Sequence, residues 1–208
     1  MRQETLKDKA YKYIKDKIIS CEYAPGDFLD EKVLIEEINS SRTPIREALN
    51  KIEQEKLIKI IPKKGVIVTE ISLKNILDIY QFRELVEPNA ILEFGSNYSE
   101  EKMIEFKNYF SSDDVDPIDF YNVDDEFHSY ITEFYNNHYI AEIMEVIRVQ
   151  SQRIRILTGT LHDITPSRSE HLDIIDNIIS KNFDVASKKM KQHIEFSKNR
   201  TLNVYSHK

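Results

Sequence analysis

The stretch Ser41-Arg42-Thr43-Pro44-Ile45-Arg46-Glu47-Ala48-Leu49 decides how the first third of the chain folds. Thr43 has the side chain of an N-cap, and Pro44 after it suits the first helical position, where a missing N–H costs nothing. The residues that follow divide by face. Ile45, Ala48, Leu49 and Ile52 form one apolar stripe at helical spacing, while Arg46, Asn50 and Glu53 form a polar one. Arg42 stands just ahead of the cap. Two guanidinium groups at the positive end of a helix can meet phosphates and guanine edges, so Ser41, Arg42, Thr43 and Arg46 read as part of a DNA-recognition helix. An ordinary solvated helix start has the same spacing, and the flanking residues must decide between the two.

Upstream, Leu6, Ala10, Ile14 and Ile18 recur every four residues, which predicts an amphipathic helix ending before Ala24-Pro25-Gly26-Asp27. Asp30 can cap a short second helix with Leu34, Ile35 and Ile38 inward, and Asn39-Ser40 turns the chain into the third. That is helix-turn-helix spacing. Downstream, Leu57 to Ile61 and Val66 to Val68 read as two strands around Pro62-Lys63-Lys64-Gly65, with Gly65 supplying the positive φ of the turn. A hairpin tipped with lysines directly after a recognition helix is a wing, and Lys64 is placed to touch phosphate or the minor groove. A solvated loop is the plainer alternative for those lysines.

Charge supports this division. The 208-residue chain carries a formal −7, which looks wrong for a nucleic-acid binder. Residues 1–70, however, hold 14 Lys and Arg against 13 Asp and Glu, and the remainder 15 against 23. The acidic second part cannot face DNA, whereas the first can carry a local basic patch. Only 4 glycines and 6 prolines punctuate the chain, so long helices should dominate. The single cysteine, Cys21, excludes an intrachain disulfide. With no apolar run approaching the ~20 residues of a membrane span and no apolar signal region, a soluble cytoplasmic protein is expected.

The run Pro25-Gly26-Asp27, Leu29, Leu34, then the recognition stretch, then Leu57 and Gly65 resembles the GntR family of bacterial transcription regulators. The resemblance covers the whole winged-helix segment. It implies that Lys32, Arg42, Thr43, Arg46 and Gly65 lie at the DNA. Two departures stand out: Cys21 occupies a helix end where glycine is usual, and Asn39 replaces the glycine of the turn. Asn tolerates the left-handed conformation, so neither should break the fold.

A DNA-binding domain is therefore expected over 1–70 and a helical domain over 71–208, which a resemblance given below makes an effector-binding and dimerisation domain, joined by Thr69-Glu70-Ile71-Ser72 with little slack. About six helices are expected there, roughly 73–97, 99–111, 117–136, 137–160, 166–182 and 183–206. Pro88 should kink or break the first, and Asp113-Asp114-Val115-Asp116-Pro117 makes an acidic turn. On the helix from Pro117 the inward face is Phe120, Val123, Phe127, Ile131 and Phe134, bordered by Asp124 and His128 one turn apart. His171 aligns with Ile175, Ile178 and Ile179, and His193 with Ala186, Met190 and Ile194. Each histidine alone reads equally as a satisfied core residue. Together, one carboxylate and three imidazoles aimed at one core suit a divalent metal. His138, His162 and His207 show no such alignment and are expected at the surface. Arg83 shares an apolar stripe with Ile76, Ile79, Val86 and Ala90, where its charge needs an anion, either a neighbouring glutamate or a ligand. Arg148 and Arg155 are weaker candidates.

Asp124-Asp125-Glu126-Phe127-His128, then His171, then His193 is similar to the metal-binding members of the FCD effector domain found in FadR-type GntR regulators. The resemblance implies an all-helical bundle holding zinc, or nickel or manganese, through Asp124, His128, His171 and His193. It also implies a small carboxylate effector beside that metal and Arg83. The reading is a mainly α protein, a transcriptional regulator with the cast of a repressor, binding a palindromic operator as a homodimer and changing affinity with its effector. It has no catalytic role. A metal-dependent hydrolase would need a general base, and no His-Glu-x-x-His segment occurs; Glu126 and Glu170 are expected to point elsewhere. A purely structural metal is the remaining alternative.

Overall fold

In the computed structural model, which describes residues 5–112, 115–159 and 164–206, the chain divides into two compact units, residues 1–72 and 73–208. The first is built from α1 (Leu6–Ile19), β1 (Phe28–Leu29), α2 (Glu31–Ile38), α3 (Arg42–Gln54), β2 (Ile58–Ile61) and β3 (Gly65–Val68). Thr5 starts α1 through a capping box with Asp8, and the buried residues Ala10, Ile14 and Ile18 pack it on α3. Leu6, read as part of that stripe, is exposed because it lies in the first turn. Asp30 caps α2 by accepting a hydrogen bond from the Lys32 N–H at 2.8 Å; Leu34 alone of its apolar residues is fully buried, Ile35 and Ile38 being half-exposed.

The start of α3 differs from the sequence reading. Ser41, not Thr43, holds the N-cap backbone conformation, and its side chain makes no capping hydrogen bond. Pro44 is then the third helical residue rather than the first. It is tolerated because every N–H of the first turn lacks an intrahelical acceptor. Ile45, Ala48, Leu49 and Ile52 are buried as the stripe predicts. The sheet has the order β1-β3-β2, all antiparallel, with Phe28 opposite Ile67 and Ile58 opposite Val68. The two residues of β1 are too few for periodicity to show. Glu53, read only as surface, accepts the backbone N–H of Ile60 at 2.6 Å and so ties α3 to β2.

Cys21 and Asn39 both adopt left-handed backbone, with φ of 57° and 51°. Asn does so readily, but a cysteine there carries a Cβ penalty of roughly 1–2 kcal/mol, partly offset by the greater unfolded-state freedom of glycine. Cys21→Gly is therefore expected to stabilise the protein by about 1 kcal/mol. Urea unfolding midpoints compare the two proteins, and a less stable variant would contradict the strain.

Among the described residues the second unit is all helical: α4 (Leu73–Phe94), α5 (Glu100–Ser111), α6 (Pro117–Glu133), α7 (His138–Thr158), α8 (Thr165–Ile179) and α9 (Phe183–Tyr205), with a 3-10 turn at Gly95–Asn97. Pro88 does not break α4, which runs through it and packs along α9. Gly95 permits that packing, since a Cβ there would lie 2.4 Å from the Phe183 ring. Caps set several boundaries: Ser99 accepts from the Lys102 N–H, Asn137 from the Tyr139 N–H, and Gly159 closes α7 at φ 69°. Phe106, Phe110, Phe120, Phe127, Ile131, Ile174 and Met190 fill the core, whereas Val123 and Phe134 are only half-buried. His138 is exposed; His162, His207 and, in the acidic turn, Asp113 and Asp114 lie outside the described residues. Among the described residues no helix is long and apolar enough to cross a membrane.

Candidate nucleic-acid interface and metal centre

A groove of about 460 Å³ runs between α3 and the wing. Lys32, Arg42, Arg46 and Asn50 line one side, and Lys63 and Gly65 the other. Gly65 opens β3 at φ 117°, and Lys63 takes φ 65° in the turn. Ser41, Thr43 and Lys64 are exposed beside the groove without lining it. Glu31, which drew no attention in the sequence, sits among the cations: its Oε2 lies 3.1 Å from Arg46 Nε and 4.0 Å from Arg42 Nε.

In the second unit, periodicity on three helices converges on one point. Asp124 and His128 from α6, His171 from α8 and His193 from α9 are all buried, and one ligand atom from each lies within 4.8 Å of every other. His171 Nε2 stands 3.1 Å from Asp124 Oδ1 and 3.3 Å from His128 Nε2. The His171 ring stacks on Phe110, with centroids 4.5 Å apart, and His193 stacks on His128 at 5.2 Å.

The outer nitrogen of each ring meets an acceptor. His171 Nδ1 lies 2.6 Å from the Ser167 carbonyl oxygen, and since a carbonyl only accepts, Nδ1 carries the proton. His193 Nδ1 lies 2.7 Å from Glu170 Oε2, whose carboxylate also takes two hydrogen bonds from Arg200 at 2.7 and 3.1 Å. Glu170 thus does not point away, as its place in the sequence suggested; Glu126 does, pairing with Lys102 at the surface. His128 Nδ1 approaches Glu87 Oε2 at 2.7 Å, a contact too poorly aligned to be a good hydrogen bond. Glu87 is in turn gripped by Arg83, through Nε at 2.6 Å and Nη2 at 3.4 Å. Of the two anions foreseen for Arg83, a glutamate is the one beside it here. Arg155 reaches Asp125 at 2.8 Å and Asp124 at 3.7 Å. Glu87, Asp125 and Arg200 escaped the sequence reading and Glu170 was misplaced by it, since only the assembled bundle brings them to the site.

This arrangement has an electrostatic consequence. With its proton on Nδ1, a neutral His171 turns a lone pair from Nε2 toward a carboxylate oxygen and a second imidazole nitrogen, so acceptors face acceptors in a dry interior. A proton or a cation must lie among them. Two nitrogen donors on a first-row metal with bonds of about 2.0–2.1 Å stand roughly 3 Å apart, so the donor set and its spacing fit such an ion. The Ser167 carbonyl and the Glu170 carboxylate fix the tautomers of His171 and His193 that ligation needs. Burial first, and then His171, press the His193 pKa down to about 3, keeping the ring neutral. Burial works to raise the Glu87 and Glu170 carboxyls, but Arg83 and His128 hold Glu87 to about 2, and His193 and Arg200 do the same for Glu170. Beside the cluster lies a cavity of about 380 Å³ bordered by Asp124, His193, Arg83, Arg155, Arg200 and Thr201.

Comparison with known proteins agrees with both units. Residues 6–68 match the family of bacterial regulatory proteins called gntR, and residues 78–196 match the FCD domain. The chain is 24% identical over 200 residues to the HTH-type transcriptional repressor RspR of Escherichia coli K12, spanning 92% of this chain and 87% of that one. It is 29% identical over 196 residues to the gluconate operon transcriptional repressor of Bacillus licheniformis, spanning 88% and 79%. Among solved structures, E. coli McbR/YncC superposes with a TM-score of 0.76 at 16% identity over 98% of each chain, a likeness of fold. With an FCD domain over more than half its length behind a gntR-type helix-turn-helix, the chain belongs to the GntR family of DNA-binding transcriptional regulators with an FCD domain.

Proposed function

We infer that this regulator binds a palindromic operator as a homodimer and that a small carboxylate, held beside a divalent metal in the second unit, adjusts its affinity for DNA. The metal is held by Asp124, His128, His171 and His193, with zinc the leading candidate and nickel or manganese also suited to mixed nitrogen and oxygen donors. The observation that carries this reading is the set of buried acceptors turned toward one another beside an arginine-lined cavity. Lys32, Ser41, Arg42, Thr43, Arg46, Lys64 and Gly65 form the DNA-facing set. One recognition helix per chain suits a two-fold symmetric site, and exposed Leu77, Leu85 and Leu92 on α4 offer apolar surface that a second copy would cover.

Charge balance makes the effector depend on the metal. Around the cluster stand three guanidinium groups, Arg83, Arg155 and Arg200, against four carboxylates, Glu87, Asp124, Asp125 and Glu170. The surplus is one negative charge, which repels an anion; a divalent ion reverses the sign and leaves room for one carboxylate. Arg83 is the gate, because its Nη1 has no partner among the described residues while its other nitrogens hold Glu87.

The test is a panel of small carboxylates added to metal-loaded and chelator-treated protein, read by thermal shift and by operator affinity. A response is expected only from the loaded protein. Arg83→Ala should keep the metal yet lose about 1–3 kcal/mol of the response. Equal responses with and without metal, or an Arg83→Ala protein that responds like the parent, would overturn the reading.

A further inference from the structure

We propose that Glu31 is a specificity-determining residue for DNA, holding Arg46 and Arg42 in the reading position and keeping them off non-cognate phosphate. The proposal rests on α3 being the base-reading helix and is independent of the metal.

The groove between α3 and the wing is lined by four cations, Lys32, Arg42, Arg46 and Lys63, and by two carboxylates. One of these, Asp30, is occupied as the cap of α2. Glu31, the acidic residue in the first turn of α2, is not the cap, and among the described residues its ion-pair partners are the two arginines alone. It is also less exposed than they are, its side chain 28% accessible against 61% for Arg42 and 59% for Arg46. A half-buried carboxylate therefore stands under two exposed guanidinium groups.

The atoms involved matter. Glu31 takes Arg46 by Nε, at 3.1 Å, and leaves both terminal nitrogens of the fork without a partner among the described residues. A guanine edge presents two acceptors, O6 and N7, which suit that terminal pair. Arg46 can thus donate end-on to guanine while Glu31 keeps its Nε. In DNA the phosphate oxygens flank the major groove, and following them would swing the guanidinium away from Glu31, leaving its carboxylate unpaired beside an anionic backbone. Cognate contact keeps the ion pair, and non-cognate contact breaks it. Discrimination is a difference between affinities, and here the carboxylate acts on both sides of it.

The experiment uses the full chain and its Glu31→Gln and Glu31→Ala variants. Each is put through selection from a random double-stranded DNA pool, and each is titrated against a random-sequence duplex at several salt concentrations. Circular dichroism checks the fold. Two results are expected together: the variants bind the random duplex severalfold more tightly with a steeper salt dependence, since freed arginines take phosphates, and their selected sequences lose a guanine preference that the parent shows. A residue with only a structural role would weaken binding to both kinds of DNA. Unchanged or weaker random-duplex binding, or a retained guanine preference, overturns the proposal. Arg46→Ala serves as the second arm. If it too keeps the parent's selected sequence, the base-reading role of α3 fails with it; if Arg46→Ala loses the guanine while both Glu31 variants keep it, only the role of Glu31 fails.

Discussion

His171→Ala combined with His193→Ala is expected to reduce bound metal from about one ion per chain to a trace, a loss in affinity of more than about a thousandfold. Changes to residues that merely orient metal ligands cost 10–100-fold, and here two ligands themselves are removed. The two rings come from different helices, α8 and α9, so the remaining pair, Asp124 and His128, both on α6, cannot clamp an ion alone. A second measurement follows from linkage. Metal at about 100 times its dissociation constant should stabilise the parent by about 2.7 kcal/mol and the double variant not at all. His138→Ala, altering an exposed ring, is the control. Elemental analysis that finds equal metal in parent and double variant would remove these residues from the site.

Acidification of chelator-treated protein should lower its stability steadily from about pH 6.5 downward. His193 in the unfolded chain takes up its proton near the ordinary 6.5, but in the folded protein burial and the neighbouring His171 postpone this to about 3. Between those values the unfolded state holds the extra proton, so stability falls as pH falls, with a slope approaching 1.4 kcal/mol per pH unit, or about one proton, from this group. Below 4.5 the slope should steepen. Glu87 and Glu170, held to about 2 by the arginine and histidine side chains beside them, favour the folded state above their ordinary 4.5 and lose that contribution on protonation. Above 6.5 these groups make no change. Urea unfolding at pH 7, 6 and 5 measures the effect, and His193→Gln should remove about one proton from the slope above 4.5. A flat profile between 6.5 and 4.5 in the parent would contradict a neutral buried His193.

Much of the architecture is local and therefore readable from the chain. Helical spacing alone identifies the stripe Ile45, Ala48, Leu49 and Ile52, the six helices of the second unit, and the inward faces on which His128, His171 and His193 stand. These signals survive because burial of its apolar face supplies most of the stability of an amphipathic helix and depends little on which helix it packs against. Where neighbours contribute comparably, local reading fails. Thr43 and Ser41 both carry side chains that can cap, and only the direction in which the chain enters α3 separates them in favour of Ser41. Pro88 by itself predicts a break in α4, but packing against α9 holds the helix together across it.

The chemistry of both sites was decided by tertiary structure. Charge partners obey no periodicity: Glu87 reaches His128 from another helix, Glu170 reaches His193 across the bundle, and Arg200 and Arg83 lock those carboxylates in turn. Glu31 and Arg46 stand fifteen residues apart, on separate helices. The sequence determined which faces turn inward, because that follows from each helix's own residues. Which charged groups meet there depends on how the helices are arranged, and a buried charge takes whatever partner that arrangement brings within about 3 Å.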